Sequence, residues 1–357
     1  MAWLARTWEH VNRTRAEWLA AGVCLIGVVA IAAWQGFGLG AALALSGLFV
    51  GGFLSIVIHE LGHAIGAWFV GWRVWIISAA PLCWRLGHGP RFSTRLSGDV
   101  GGFVLGSPPT EAFDSRWRSV VFSAGGPLAS LITGPAFIYW LTTFPPGSWD
   151  QPLNAGLLGA ALALGFHSAY AAAVTIWPWK SASGAPNDML MILQALFAPE
   201  PPARERALIW AEALFAYGVE PSAWPAWVRD TVKQSALKPD AGALGFAMAI
   251  EAGDVGLAQH IAHAYDSDAA KVLRAYLLAE AGECDGADDA LAAIADRGKI
   301  EHVAPWRSLA LARIQARSGA TKSARRALDD FAEALAENPT PHPFWQARLA
   351  HARADLG

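Results

Sequence analysis

Long apolar stretches separated by short polar ones fill the first half of the chain. After residue 198 they give way to short segments with helical periodicity. Residues 18–37 carry no charge and are about as long as the roughly 20 residues that cross a bilayer core. Residues 40–72 form a longer run, broken only by His59, Glu60 and His63, and further runs occupy 120–144 and 155–179. Four transmembrane helices are therefore predicted. Between the second and third, residues 74–86 and 101–105 are rich in β-branched and aromatic types broken by Gly and Pro, which predicts short strands.

Beyond Pro199-Glu200-Pro201-Pro202 the segments are charged, alanine-rich and separated by Gly or Pro. Residues 247–264 around Gly253, 275–295 around Gly282 and 309–334 around Gly319 each read as helix, glycine turn, helix. They resemble degenerate tetratricopeptide repeats, units that bury their apolar faces by stacking and so expose a concave surface for a peptide or protein. The simpler alternative is a plain helical bundle. The expected fold is all-α: a membrane domain at 1–198 of about four helices, with short strands in a cytoplasmic loop, then a cytoplasmic helical-repeat domain at 199–357.

Arginines orient the membrane domain. Arg6, Arg13 and Arg15 precede the first span, and Arg73, Arg85, Arg91, Arg95, Arg116 and Arg118 fill the loop between the second and third, so these segments are expected in the cytoplasm. The connections 35–40 and 145–154 carry only Asp150, and Lys180 closes the fourth span, which puts both termini inside. Ala30-Ile31-Ala32 looks like a signal-peptide cleavage site, but the long segment before it, with Glu9 and Glu17, is unlike a short basic leader, and the run is expected to stay as a span.

Composition agrees with a membrane chain. Of 357 residues, 54% are hydrophobic and only 16% charged, too apolar for two ordinary soluble domains. The net charge of -3 is small and without a basic stripe, so no nucleic-acid partner is expected. Cys24, Cys83 and Cys284 are too scattered for a disulfide framework or a zinc knuckle. Arg in excess of Lys, with abundant Ala and Gly, suggests a bacterial source and hence the inner membrane.

His59-Glu60-Leu61-Gly62-His63 carries the candidate chemistry. Residues four apart share a helix face, so both imidazoles can address one ion while Glu60 reaches a water beside them. Two unliganded helix histidines are the bland reading, but ionisable groups in a membrane-length segment are costly unless something binds them. At 1.5 Å per residue His63 lies roughly 15 Å from Arg73, in the inner half of a hydrocarbon core about 30 Å thick. The best third ligand is Asp188, after Pro186-Asn187, where the competing role is a helix cap. His88 and His167 lack spaced partners, and the His260/His263 pair lacks a carboxylate or thiol companion.

The motif around His59, then Ala124-Gly125-Gly126-Pro127-Leu128-Ala129-Ser130, then Pro178 leading to Gly184 and Asn187-Asp188, resembles the site-2 protease family of intramembrane zinc metallopeptidases over about residues 40–200. The resemblance implies that His59, His63 and Asp188 bind Zn2+, that Glu60 is the catalytic acid and base, and that Gly126, Pro127 and Ser130 contact substrate. Ser130 stands where the family usually has Asn, and Met189 where it usually has Gly after the metal-binding Asp. The expected partners are the bilayer, a membrane-protein substrate and a protein at the helical-repeat domain. The alternative activity is none: a membrane adaptor that keeps the protease fold for binding. A polar cavity lined by Gly62, Gly66, Gly125 and Gly126 is expected to admit water.

Overall fold

A computed structural model describes residues 38–80, 82–86, 89–92, 101–143, 152–180, 186–294, 303–337 and 342–356. The first expected span, 18–37, and His88 lie outside them. The chain contacts divide into two compact units that part between Glu200 and Pro201.

In the first unit, helices α1 (Gly38–Phe69), α2 (Arg116–Thr143) and α3 (Pro152–Ile176) are long and apolar enough to cross a membrane. They match the second, third and fourth expected spans. Small residues bring α1 and α3 to backbone contact: a β-carbon on Gly51 would stand 2.9 Å from Leu164 N, and one on Gly159 would meet the Ala44 backbone. Without a hydrophobic force between helices in lipid, such close approach supplies the packing.

α1 ends at Phe69 and not at residue 72, because Gly71, at φ +77°, closes it. The Gly71 amide donates to Trp68 O (3.0 Å) and the Trp72 amide to Ala67 O (2.8 Å), which satisfies the last carbonyls and turns the chain toward the sheet. Exposed Trp68, Phe69, Trp117 and Trp177 lie at the α1 C-terminus, the α2 N-terminus and just past α3, positions that suit an aromatic belt at the membrane surface.

Between α1 and α2 the chain forms an antiparallel sheet of order β3-β2-β1-β4, from β1 (Arg73–Ala79), β2 (Leu82–Arg85), β3 (Gly89–Phe92) and β4 (Gly102–Ser107). The expected region 74–86 holds β1 and β2 and the region 101–105 holds most of β4, while β3 lies outside both. β1 is buried on both faces after Arg73, which explains its run of Val, Trp and Ile. β4 is an edge strand and runs along α1: β-carbons on Gly101, Gly102 and Gly106 would face Ile56, Glu60 and Ala67. The unit closes with α4 (Asp188–Phe197), short and apolar.

The second unit begins with α5 (Ala203–Ala216) and α6 (Ala226–Ser235). Three helix pairs follow: α7 (Gly242–Glu251) with α8 (Val255–His263), α9 (Asp268–Ala281) with α10 (Cys284–Ala292), and α11 (Ala304–Arg317) with α12 (Thr321–Glu337), before α13 (Pro343–Ala354). Gly253, Gly282 and Gly319, all left-handed at φ +71°, +89° and +81°, make the three turns. Their shared core centres on Trp306, whose ring lies 4.7–4.9 Å from those of Trp345, Tyr276 and Phe246.

Candidate metal centre

α1 and α2 cross antiparallel at two glycines. A β-carbon on Gly62 would meet the carbonyl of Gly125 and stand 2.7 Å from Ala129 Cβ, and one on Gly125 would meet the carbonyl of Gly62. One turn along, Gly66 packs on Val121 and Phe122. These three glycines therefore serve the close packing of α1 on α2. Gly126 differs, because its missing β-carbon faces His59 Nε2 and His63 Nε2.

The crossing presents the imidazoles to Phe122, Gly126 and Ser130, which share one face of α2 at i, i+4 and i+8. His63 Nδ1 lies 2.9 Å from Phe122 O, which only accepts, so Nδ1 carries a proton, and in the neutral ring the lone pair is then on Nε2. The Gly126 amide, 3.4 Å from the same Nδ1, then has no acceptor there. His59 Nδ1 lies 2.9 Å from Ser130 Oγ. Both Nε2 atoms point to Asp188: His59 Nε2 is 3.2 Å from Oδ2 and His63 Nε2 is 3.3 Å from Oδ1.

Asp188 reaches this point because its neighbour takes the capping role. Asn187 is the N-cap of α4, its Oδ1 accepting from the Leu190 amide at 3.1 Å. The same Oδ1 accepts from Trp179 N at 3.2 Å, and Nδ2 donates to Trp177 O at 2.7 Å. Asn187 therefore ties the start of α4 to the segment leaving α3 and frees the Asp188 carboxylate to face the histidines. Met189 follows Asp188 inside the helix and does not prevent this approach.

The donor set suits zinc. Bonds of about 2.0–2.1 Å to a tetrahedral ion set neighbouring ligands about 3.3 Å apart. His59 Nε2 stands at about that separation from Asp188 Oδ2, and His63 Nε2 from the other oxygen of the same carboxylate, Oδ1. One ligand atom from each of the three residues lies within 4.8 Å of the others, and among the described residues theirs is the group of His, Cys, Asp and Glu side chains arranged to hold a metal. Glu60, beside His59, is only 6% exposed, and its Oε2 has no hydrogen-bond partner among the described residues. A buried carboxylate oxygen in that condition awaits a ligand or water.

Residues 48–339 match the model of Peptidase family M50. The chain belongs to the site-2 protease family. None of the curated proteins and none of the solved structures compared with it matches. Members of the family are zinc-dependent integral-membrane metallopeptidases, and the His59–His63–Asp188 cluster has the donor types such a protease needs.

Of the expected site residues, the fold brings His59, His63, Asp188, Gly126 and Ser130 to one place. Pro127 lies within α2, where its missing N–H deprives the Ser123 carbonyl of a helical donor. Ser130 is fully buried, its hydroxyl on the His59 nitrogen away from Asp188. His167 bonds within its own helix, to Ala163 O, and His260 and His263 sit exposed on α8. Sequence reasoning missed two contributors. Phe122 acts through a backbone carbonyl and leaves no side-chain signature. Asn187 was legible as a capping type just before an apolar helix.

Proposed function

We propose that this site-2 protease family member is an active zinc-dependent endopeptidase that cleaves membrane proteins in or near their transmembrane segments. The observation that carries this reading is the convergence of His59 Nε2, His63 Nε2 and Asp188, with buried Glu60 beside them, on a membrane-length helix. His63 stands six residues before Phe69, roughly 9 Å along the helix, so hydrolysis belongs below the membrane surface.

His59, His63 and Asp188 would hold the ion. When bound, zinc supplies a Lewis acid that polarises a peptide carbonyl and acidifies water. Glu60 takes the proton from the attacking water and returns it to the leaving amine. Substrate enters beside β4, whose Gly102 leaves no side chain between strand and carboxylate: a β-carbon there would stand 2.7 Å from Glu60 Oε1. A helix unwound at this edge pairs its backbone with β4 and exposes the scissile amide. The second unit, with its three helix pairs, supplies a cytoplasmic surface for a peptide or protein that selects substrate.

Purified Glu60→Gln protein is expected to retain one zinc per chain while cleavage of a membrane-protein substrate is abolished. His59→Ala and Asp188→Ala are expected to lose the metal. Wild-type protein without stoichiometric zinc, or proteolysis undiminished in Glu60→Gln, would overturn the reading, and metal-free protein would favour the adaptor.

A further inference from the structure

We propose that Ser130 is a positioning residue for the metal site, holding His59 in the tautomer and ring orientation that ligation needs. The inference rests on the zinc reading above and assigns Ser130 to the metal rather than to substrate.

The two histidines are held by different means. His63 Nδ1 donates to a backbone carbonyl, Phe122 O, so its tautomer follows from the fold of α2. His59 Nδ1 has a side-chain partner, the Ser130 hydroxyl at 2.9 Å. A hydroxyl donates or accepts, so the contact alone leaves the tautomer open. Ligation through Nε2 would resolve it: with Nε2 given to the metal, Nδ1 would carry the proton and donate a hydrogen bond to Ser130 Oγ. Partners on the far nitrogen of a ligating histidine fix the ring and raise its basicity, and their loss typically weakens metal binding about 10–100-fold.

Position supports this role over a contact with substrate. Ser130 is fully buried and lies two helical turns from Phe122 on the same face of α2, one residue serving each histidine. The hydroxyl meets His59 at Nδ1, whereas Nε2 faces Asp188. A group behind the imidazole, without solvent exposure, is placed to orient the ligand.

The test compares full-length wild type, Ser130→Ala, Ser130→Thr and Ser168→Ala in detergent. Ser168 is a fully buried serine on α3 whose hydroxyl has no hydrogen-bond partner among the described residues, so it controls for loss of a buried hydroxyl. Zinc affinity is measured by competition with a chelator, and cobalt is substituted to read ligand geometry from its visible spectrum. Ser130→Ala is expected to bind zinc about 10–100-fold more weakly, with an altered cobalt spectrum. Ser130→Thr is expected to restore affinity, and Ser168→Ala to match wild type. If Ser130→Ala holds zinc as tightly as wild type and only KM for substrate rises, the positioning role is overturned while the zinc reading stands. If wild type takes up no zinc, both fall.

Discussion

A β-carbon on Gly126 would stand 2.7 Å from His59 Nε2 and nearer still to His63 Nε2, at the nitrogens that face Asp188. Glycine here keeps the ligand side of both rings open. Gly126→Ala is therefore expected to weaken zinc binding at least about tenfold, the scale on which disturbed ligand orientation acts, as read by chelator competition, while the helix content seen by circular dichroism stays unchanged. The motif made His59, Glu60 and His63 legible because helical spacing alone puts two imidazoles on one face. Asp188 was legible only as a candidate, since an aspartate at a helix start has the competing role of cap. The competition is decided by Asn187, which takes that role itself.

At the scale of elements, α4 brings Asp188, 125 residues beyond His63, to the two imidazoles, with one capping side chain at its start. Replacing Asn187 with Ala removes the acceptor for Leu190 N and the donor to Trp177 O. Loss of an N-cap costs about 1 kcal/mol, so a modest fall in thermal stability is expected together with weaker zinc binding. Asn187→Asp keeps the capping oxygen but loses the donor, and is expected to fall between wild type and Asn187→Ala in a thermal melt. Normal zinc affinity in Asn187→Ala would show that Asp188 needs no such anchor. The helices were readable from their apolar lengths. The strands were readable in part, because β-branched residues between glycines mark strands but do not reveal that β4 lies against α1, beside Glu60. The end of α1 was misplaced because residues 70–72 are as apolar as the helix before them, while the left-handed Gly71 turn stops it.

For the whole molecule, the arginine pattern predicts a cytoplasmic second unit, and Cys284, half-buried at the start of α10, offers a probe of it. In a Cys24→Ser, Cys83→Ser background, a membrane-impermeant maleimide is expected to label Cys284 only after the cell membrane is opened. Labelling in intact cells would invert the assigned topology. Apolar length, the excess of arginine on alternate connections and the His-Glu-x-x-His spacing are local properties, and the sequence alone sufficed for the membrane class, the orientation expected of it and the placing of two histidines on one helix face. Tertiary structure decided which of the remaining polar groups face them. The approach of α1 to α2 at Gly62 and Gly125, and the placing of the Phe122 carbonyl behind His63 and of Ser130 behind His59, are contacts between segments far apart in the chain. No window of residues along the chain contains both partners of such a contact.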